Sequence, residues 1–177
     1  MNLEKVTPLD RETSGVRVVV ETPRGSRLKI KYLPDCDAFM VDRVLPLGTT
    51  FPAAFGFVPQ TLGDDGDPLD VLVIADEPIA TGCLVLTRLV GVILATQRSG
   101  RGRAERNDRL IGVPVQDVAF RTWKSLESVG GSRLNAIEQF FVSYHELQGR
   151  TFHPVGRAGP RRARALLMEG IRRGAKE

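Results

Sequence analysis

The sequence predicts an α+β fold, with short strands curled into a small barrel and helices closing the chain. Three observations carry this expectation. Runs of aliphatic and β-branched residues, separated by Pro and Gly, fill the first part of the 177 residues; apolar residues at helical spacing appear only toward the end; and no repeat, low-complexity tract or Ser/Gly linker divides the chain. Residues 1–177 are therefore read as one domain.

VRVVVE (16–21) and RLKIKY (27–32) read as strands joined by TPRGS, whose Pro and Gly mark a turn. Alternation in RLKIKY puts Leu28, Ile30 and Tyr32 on one face and Lys29 and Lys31 on the other. A third strand is expected over 38–44, followed by an irregular Pro/Gly-punctuated segment through TTFPAAFGFVPQTLG. LDVLVIA (69–75) and CLVLTRLVGVILATQ (83–97) are further strands, and LIGVPV is another after an Arg-rich loop, RSGRGRAERNDR (98–109). Leu134, Ile137, Phe141, Tyr144 and Leu147 then recur at helical spacing, as do Leu166, Leu167 and Ile171. Two amphipathic helices close the chain.

Hydrophobic residues make up 42% and charged residues 26%, an ordinary balance for a soluble globular chain. No apolar run approaches the roughly 18 residues of a membrane span, and MNLEKVTPLDRETSG has no secretory h-region, so a cytoplasmic location is expected. Cys36 and Cys83 belong to no CxxC pair or zinc-spaced cluster and are expected to be buried thiols. The net charge of +4 suggests acidic partners or substrates without choosing among phosphate, nucleic acid and membrane.

The chemistry concentrates in GDDGDPLDVLVIADEP (63–78), where four aspartates fall within positions 64–70 just before an apolar strand. Asp65, Asp67 and Asp70 follow the pattern D-x-D-P-x-D, with Gly66 permitting a tight bend and Pro68 fixing the backbone. Carboxylates this close repel one another, so burying them requires compensating cations. Hard oxygen ligands at a turn suit Mg²⁺ or Mn²⁺. An acidic surface turn is the plain alternative. A calcium loop counted from Asp65 fails, because the required sixth-position Gly is Asp70.

DGDPLDV (65–71) resembles the signature of the soluble family I inorganic pyrophosphatases. VVVETPRGSRLKIKY, FMVDR, FGFVPQTL, VGVI and FFVSYHELQG keep that family's order and spacing over nearly the whole chain. The resemblance implies a five-stranded barrel of OB type with flanking helices, two of them C-terminal, assembly as a homo-oligomer, and hydrolysis of pyrophosphate with several Mg²⁺ ions. It also implies roles. Asp65 and Asp70 match positions that bind the metals activating a water, and Asp67 matches the acceptor of its proton. Glu21 and Asn107 match further metal-site positions. Lys29, Arg43, Tyr144 and Arg109 match groups at the substrate phosphates. Three of these have a duller explanation: Lys29 as a solvated strand face, Tyr144 as helix packing, Arg43 as a partner of Asp42.

Several positions depart from the family pattern. Lys31 stands where a glutamate is usual, Phe51 and Phe55 where tyrosines are, Gln97 and Asn107 where aspartates are, Arg109 for a lysine, and His145 for the lysine after the helix tyrosine. Together the charge changes leave the site three units more positive, so fewer metals are expected, with Lys31 and the Arg-rich segment partly replacing their charge on the substrate. Strand alternation puts Asn107 and Arg109 on one face and Asp108 on the other, and Glu105 is a further candidate from the same loop. The expected function is an attenuated Mg²⁺-dependent inorganic diphosphatase. The alternative is a catalytically silent homologue that binds a phosphate compound, nucleotide or protein. Nucleic-acid binding is disfavoured, since the Arg-rich loop lacks stacking aromatics.

Overall fold

The computed structural model describes residues 3–176. A short 3₁₀ turn, Leu3–Lys5, precedes β1 (Val16–Thr22), β2 (Leu28–Leu33), β3 (Ala38–Val44), β4 (Ala54–Phe57), β5 (Asp70–Val73), β6 (Leu84–Ser99), β7 (Glu105–Arg106) and β8 (Arg109–Pro114). Then come α1 (Leu126–Val129), α2 (Gly131–Glu146), β9 (Arg150–Ala158) and α3 (Pro160–Gly174).

Five strands pair in a circuit that returns to its start: β1 with β4, β4 with β5, β5 with β8, β8 with β6, and β6 again with β1. The 16-residue β6 is long enough to pair also with β7 and β9 beyond the ring. Alternation sorts side chains to two layers of core. Leu72, Ile74, Ile111 and Val113 join Leu134, Ile137 and Phe141 of α2, whereas Val71, Val73 and Leu110 join Ala163 and Leu167 of α3. The Val-rich β1 is almost wholly buried, with Val18 and Val20 in the α3 layer and Val19 against Leu3 and Phe57. Strand β4 crosses β1 so closely that a Cβ at Gly56 would lie 2.2 Å from the Val19 carbonyl oxygen. No helix among the described residues is long and apolar enough to cross a membrane.

Several sequence expectations need correction. The irregular segment after β3 contains β4, a four-residue buried strand whose Pro and Gly neighbours hide its character. Strand β9 has no counterpart in the sequence reading; its Pro154 and Gly156 mask a strand, and it pairs along β6 with an irregularity between those two residues. Cys36 and Cys83 are exposed, not buried: Cys36 lies in the 3₁₀ turn Pro34–Cys36 at the tip of the β2–β3 hairpin, and Cys83 immediately precedes β6. Leu147 is exposed as well, since α2 ends one residue before it.

Candidate active site

Strand β5 begins at Asp70, so the acidic turn delivers its last carboxylate onto the sheet itself. Gly66 adopts φ 82°, which tightens the turn at no steric cost. Within it, Gly63 N donates to the Asp67 carbonyl at 2.7 Å and Asp67 N donates to Asp65 Oδ1 at 3.3 Å. Helix α3 seats the turn from behind: Leu62 N donates to the Gly170 carbonyl at 3.0 Å, a Cβ at Gly170 would meet Leu69 Cδ1 at 2.4 Å, and Arg173 pairs with Asp64.

The parallel register of β5 and β8 pairs Val71 with Leu110, which brings Arg109 beside Asp70. Arg109 Nη1 donates to Asp70 Oδ2 at 2.5 Å and also to Asn107 Oδ1. Asp108 turns the other way, as alternation requires, and its carboxylate accepts from Ala95 N at 2.9 Å and Arg106 Nη2 at 2.6 Å. Arg109 is only 4% exposed and its guanidinium carbon lies 5.9, 5.1 and 5.5 Å from the ring centroids of Phe55, Phe141 and Phe152. Its Nε is buried without a partner, an arrangement that costs about 1–3 kcal/mol.

Phe55 carries a second cation. Lys29 Nζ sits 3.9 Å from its ring centroid and 3.0 Å from Glu21 Oε2, while Glu21 Oε1 accepts from Tyr32 N at 2.8 Å. Lys29 is thus largely shielded on the inner side of β2, not a solvated strand face. Two cations use the face of this ring rather than a phenol, so a phenylalanine serves here. Lys31 lies at the open rim, 3.6 Å from Asp67 Oδ1, with both side chains at least half exposed.

Arg43 Nε donates to Asp42 Oδ2 at 2.7 Å, and its guanidinium carbon lies 6.0 Å from the Tyr144 ring centroid. Tyr144 packs against Phe51, Phe140 and Phe141, so helix packing accounts for its ring. Burial pushes its phenol up, and Arg43 draws it partly back. Through the Phe51–Phe55 contact this pair joins the Lys29–Arg109 group.

Electrostatics set the carboxylates apart. Burial, reinforced by the neighbouring charge of Asp70, pushes Asp65 up to about 6. Burial also raises Asp70 against the pull of Arg109 and Lys29, and raises Glu21 against the pull of Lys29. Carboxylates driven toward the proton by burial and by each other are stabilised by an added cation, and hard oxygens favour Mg²⁺ or Mn²⁺. Among the described residues, no three His, Cys, Asp or Glu side chains close into a ready-made cage.

Other expectations fall outside this cluster. His145 is buried in the core, donating Nδ1–H to the Phe141 carbonyl at 2.8 Å and stacking on Phe152; burial lowers it to about 4. Gln97 pairs across β6 with Glu105, which stays exposed on β7. Of the Arg-rich loop, Arg98, Arg101 and Arg103 are exposed, and only Arg109 reaches the carboxylates. Sequence reasoning missed the cation-binding face of Phe55 and the aromatic enclosure of Arg109, for which spacing along the chain carries no signal.

Residues 18–175 match the family described as inorganic pyrophosphatase. An inorganic pyrophosphatase of Geobacillus stearothermophilus is 37% identical over 162 residues, covering 92% of this chain and 95% of that relative. The crystal structure of inorganic pyrophosphatase from Thermus thermophilus superposes with a TM-score of 0.90 at 32% identity, covering 99% of both chains. That from Neisseria gonorrhoeae gives 0.87 at 32% identity over 98% of each.

Proposed function

The chain belongs to the inorganic pyrophosphatase family, and on that premise we propose that it hydrolyses pyrophosphate to two phosphates with Mg²⁺, Mn²⁺ being the alternative ion. One observation carries the reading: three carboxylates on one turn converge with Lys29, Lys31 and Arg109, and the outermost of them, Asp67, is the one left open to solvent.

The donor set fits a hard divalent cation at Asp65 and Asp70, with Glu21 behind them. Bound there, Mg²⁺ would supply neutralisation of the substrate's charge and acidification of a water. Asp67 takes the proton as the water oxygen bonds to one phosphorus and the bridging P–O bond breaks. Lys31 at the rim and Lys29 further in offer ammonium donors to phosphate oxygens. Arg43, paired with Lys29 across β2–β3, held by Asp42 and backed by Tyr144, offers a planar donor beside it. The leaving phosphate departs with its charge met by these cations. A homo-oligomer working in the cytoplasm, each chain a single domain, completes the proposal. A silent binding homologue is not favoured, because the relatives are themselves named as pyrophosphatases.

Phosphate release from pyrophosphate, measured across a Mg²⁺ titration with Asp67→Asn as control, tests the proposal. Metal-dependent release that the variant abolishes is expected. Release no greater than that of the variant, from folded protein, would refute it.

A further inference from the structure

We propose that Arg109 is a built-in cation filling the inner end of the site, between Asp70 and Asn107, and that it holds the number of bound divalent ions below what the oxygens there would otherwise take. This deepens the diphosphatase reading and rests on it for the purpose of the site.

Asp70 Oδ2 and Asn107 Oδ1 converge on a single atom, Arg109 Nη1. Two hard oxygens aimed at one point form part of a divalent-ion position, and here a side chain stands in it. The occupant cannot give up its charge, since a guanidinium stays protonated in proteins. Nor is it free to swing out, because the rings of Phe55, Phe141 and Phe152 enclose it and it is 4% exposed. The unpartnered Nε points the same way. A guanidinium placed only for its own hydrogen bonding would turn to satisfy that donor; this one gives it up to keep Nη1 between the two oxygens.

Asn107 completes the arrangement. Its amide oxygen accepts from Arg109 without adding a negative charge. A carboxylate at 107 would instead set two anions around one monovalent cation and draw in a divalent ion. Asp65 and the second carboxylate oxygen of Asp70 remain for metal, and Asp67 stays open as the proton acceptor. The inner position is therefore closed by two residues acting together.

Counting bound Mn²⁺ per chain, from the paramagnetic resonance of the free ion in titrations of full-length protein without substrate, tests this. Arg109→Met and Arg109→Gln are each expected to bind one more Mn²⁺ than the wild type at saturation. Equal numbers in the wild type and in either variant, with unchanged circular dichroism, would overturn the assignment. Should Arg109→Met not fold, Arg109→Gln, which keeps an amide donor at the position without the charge, decides alone. Ion counting needs no turnover. A wild type that releases no phosphate while its variants gain an ion would sink the diphosphatase reading and leave the role of Arg109 standing.

Discussion

Replacing Asp65 by asparagine should make the metal-free protein more stable at neutral pH while removing a carboxylate the proposed chemistry needs. Burial and the charge of Asp70 hold Asp65 at about 6, against an ordinary 3.8. The folded chain therefore keeps a proton that the unfolded chain has lost between about pH 4 and pH 6. Stability contributed by this group is greatest below pH 4 and falls as pH rises through that window. Roughly two pK units at about 1.4 kcal/mol each set a ceiling of about 3 kcal/mol above pH 6, and because Asp65 is only partly buried, solvent screening reduces the expected penalty to about 1–2 kcal/mol. Asparagine keeps the Oδ1 that accepts from Asp67 N and carries no charge to desolvate. In a chain of this length the gain corresponds to a melting temperature higher by roughly 2–8 °C at pH 7.5, shrinking toward zero near pH 4. Thermal unfolding followed by circular dichroism in chelator, from pH 4 to 8, measures it. Saturating Mg²⁺ should reverse the order, since only the wild type retains the ligand. A variant no more stable than wild type at pH 7.5, or a difference that ignores pH, would refute the account of Asp65.

Two further outcomes follow from buried charges. Lys29→Met leaves Glu21 unpaired in a site where both side chains are nearly inaccessible, and should cost about 3–5 kcal/mol in urea unfolding at pH 7. The loss should shrink as Glu21 protonates at lower pH and be largely recovered in Glu21→Gln/Lys29→Met; an undiminished loss in the double variant would contradict the pairing. His145, lowered to about 4 from an ordinary 6.5, contributes stability that is full above pH 6.5 and lost as pH falls to 4, at most about 3 kcal/mol. His145→Phe should flatten that acid limb, and an imidazole NMR resonance from His145 titrating near pH 6.5 would show that the ring is not buried neutral.

Much of the barrel was legible because β1, β5, β6 and β8 are long or uniformly apolar runs. The acidic turn was legible because Asp, Gly and Pro at fixed offsets specify a turn and its chemistry together. Alternation alone placed Asn107 and Arg109 on the same face. What it could not supply was distance: the contact of Arg109 with Asp70 spans 39 residues and exists only through β5–β8 pairing. Lys29 illustrates the same limit. A lysine alternating with Leu28 and Ile30 reads as solvent-facing, yet the two-stranded β2–β3 sheet folds that face over Glu21 and Phe55. Strand β9 was hidden by its own proline, tolerated because it lies outside the five-strand ring, where a missing ladder donor is cheap.

The β5–β8 pairing is the single parallel pairing among the described residues, and it depends on connections that are slow to form. Its register guards itself. A one-residue slip that brought Asp108 to the place of Arg109 would set carboxylate against the Asp70 carboxylate in a buried site, at a cost of several kcal/mol. Chains that close the barrel wrongly are thus disfavoured by the same contact that arranges the site, so the salt bridge proofreads folding before it ever meets a substrate.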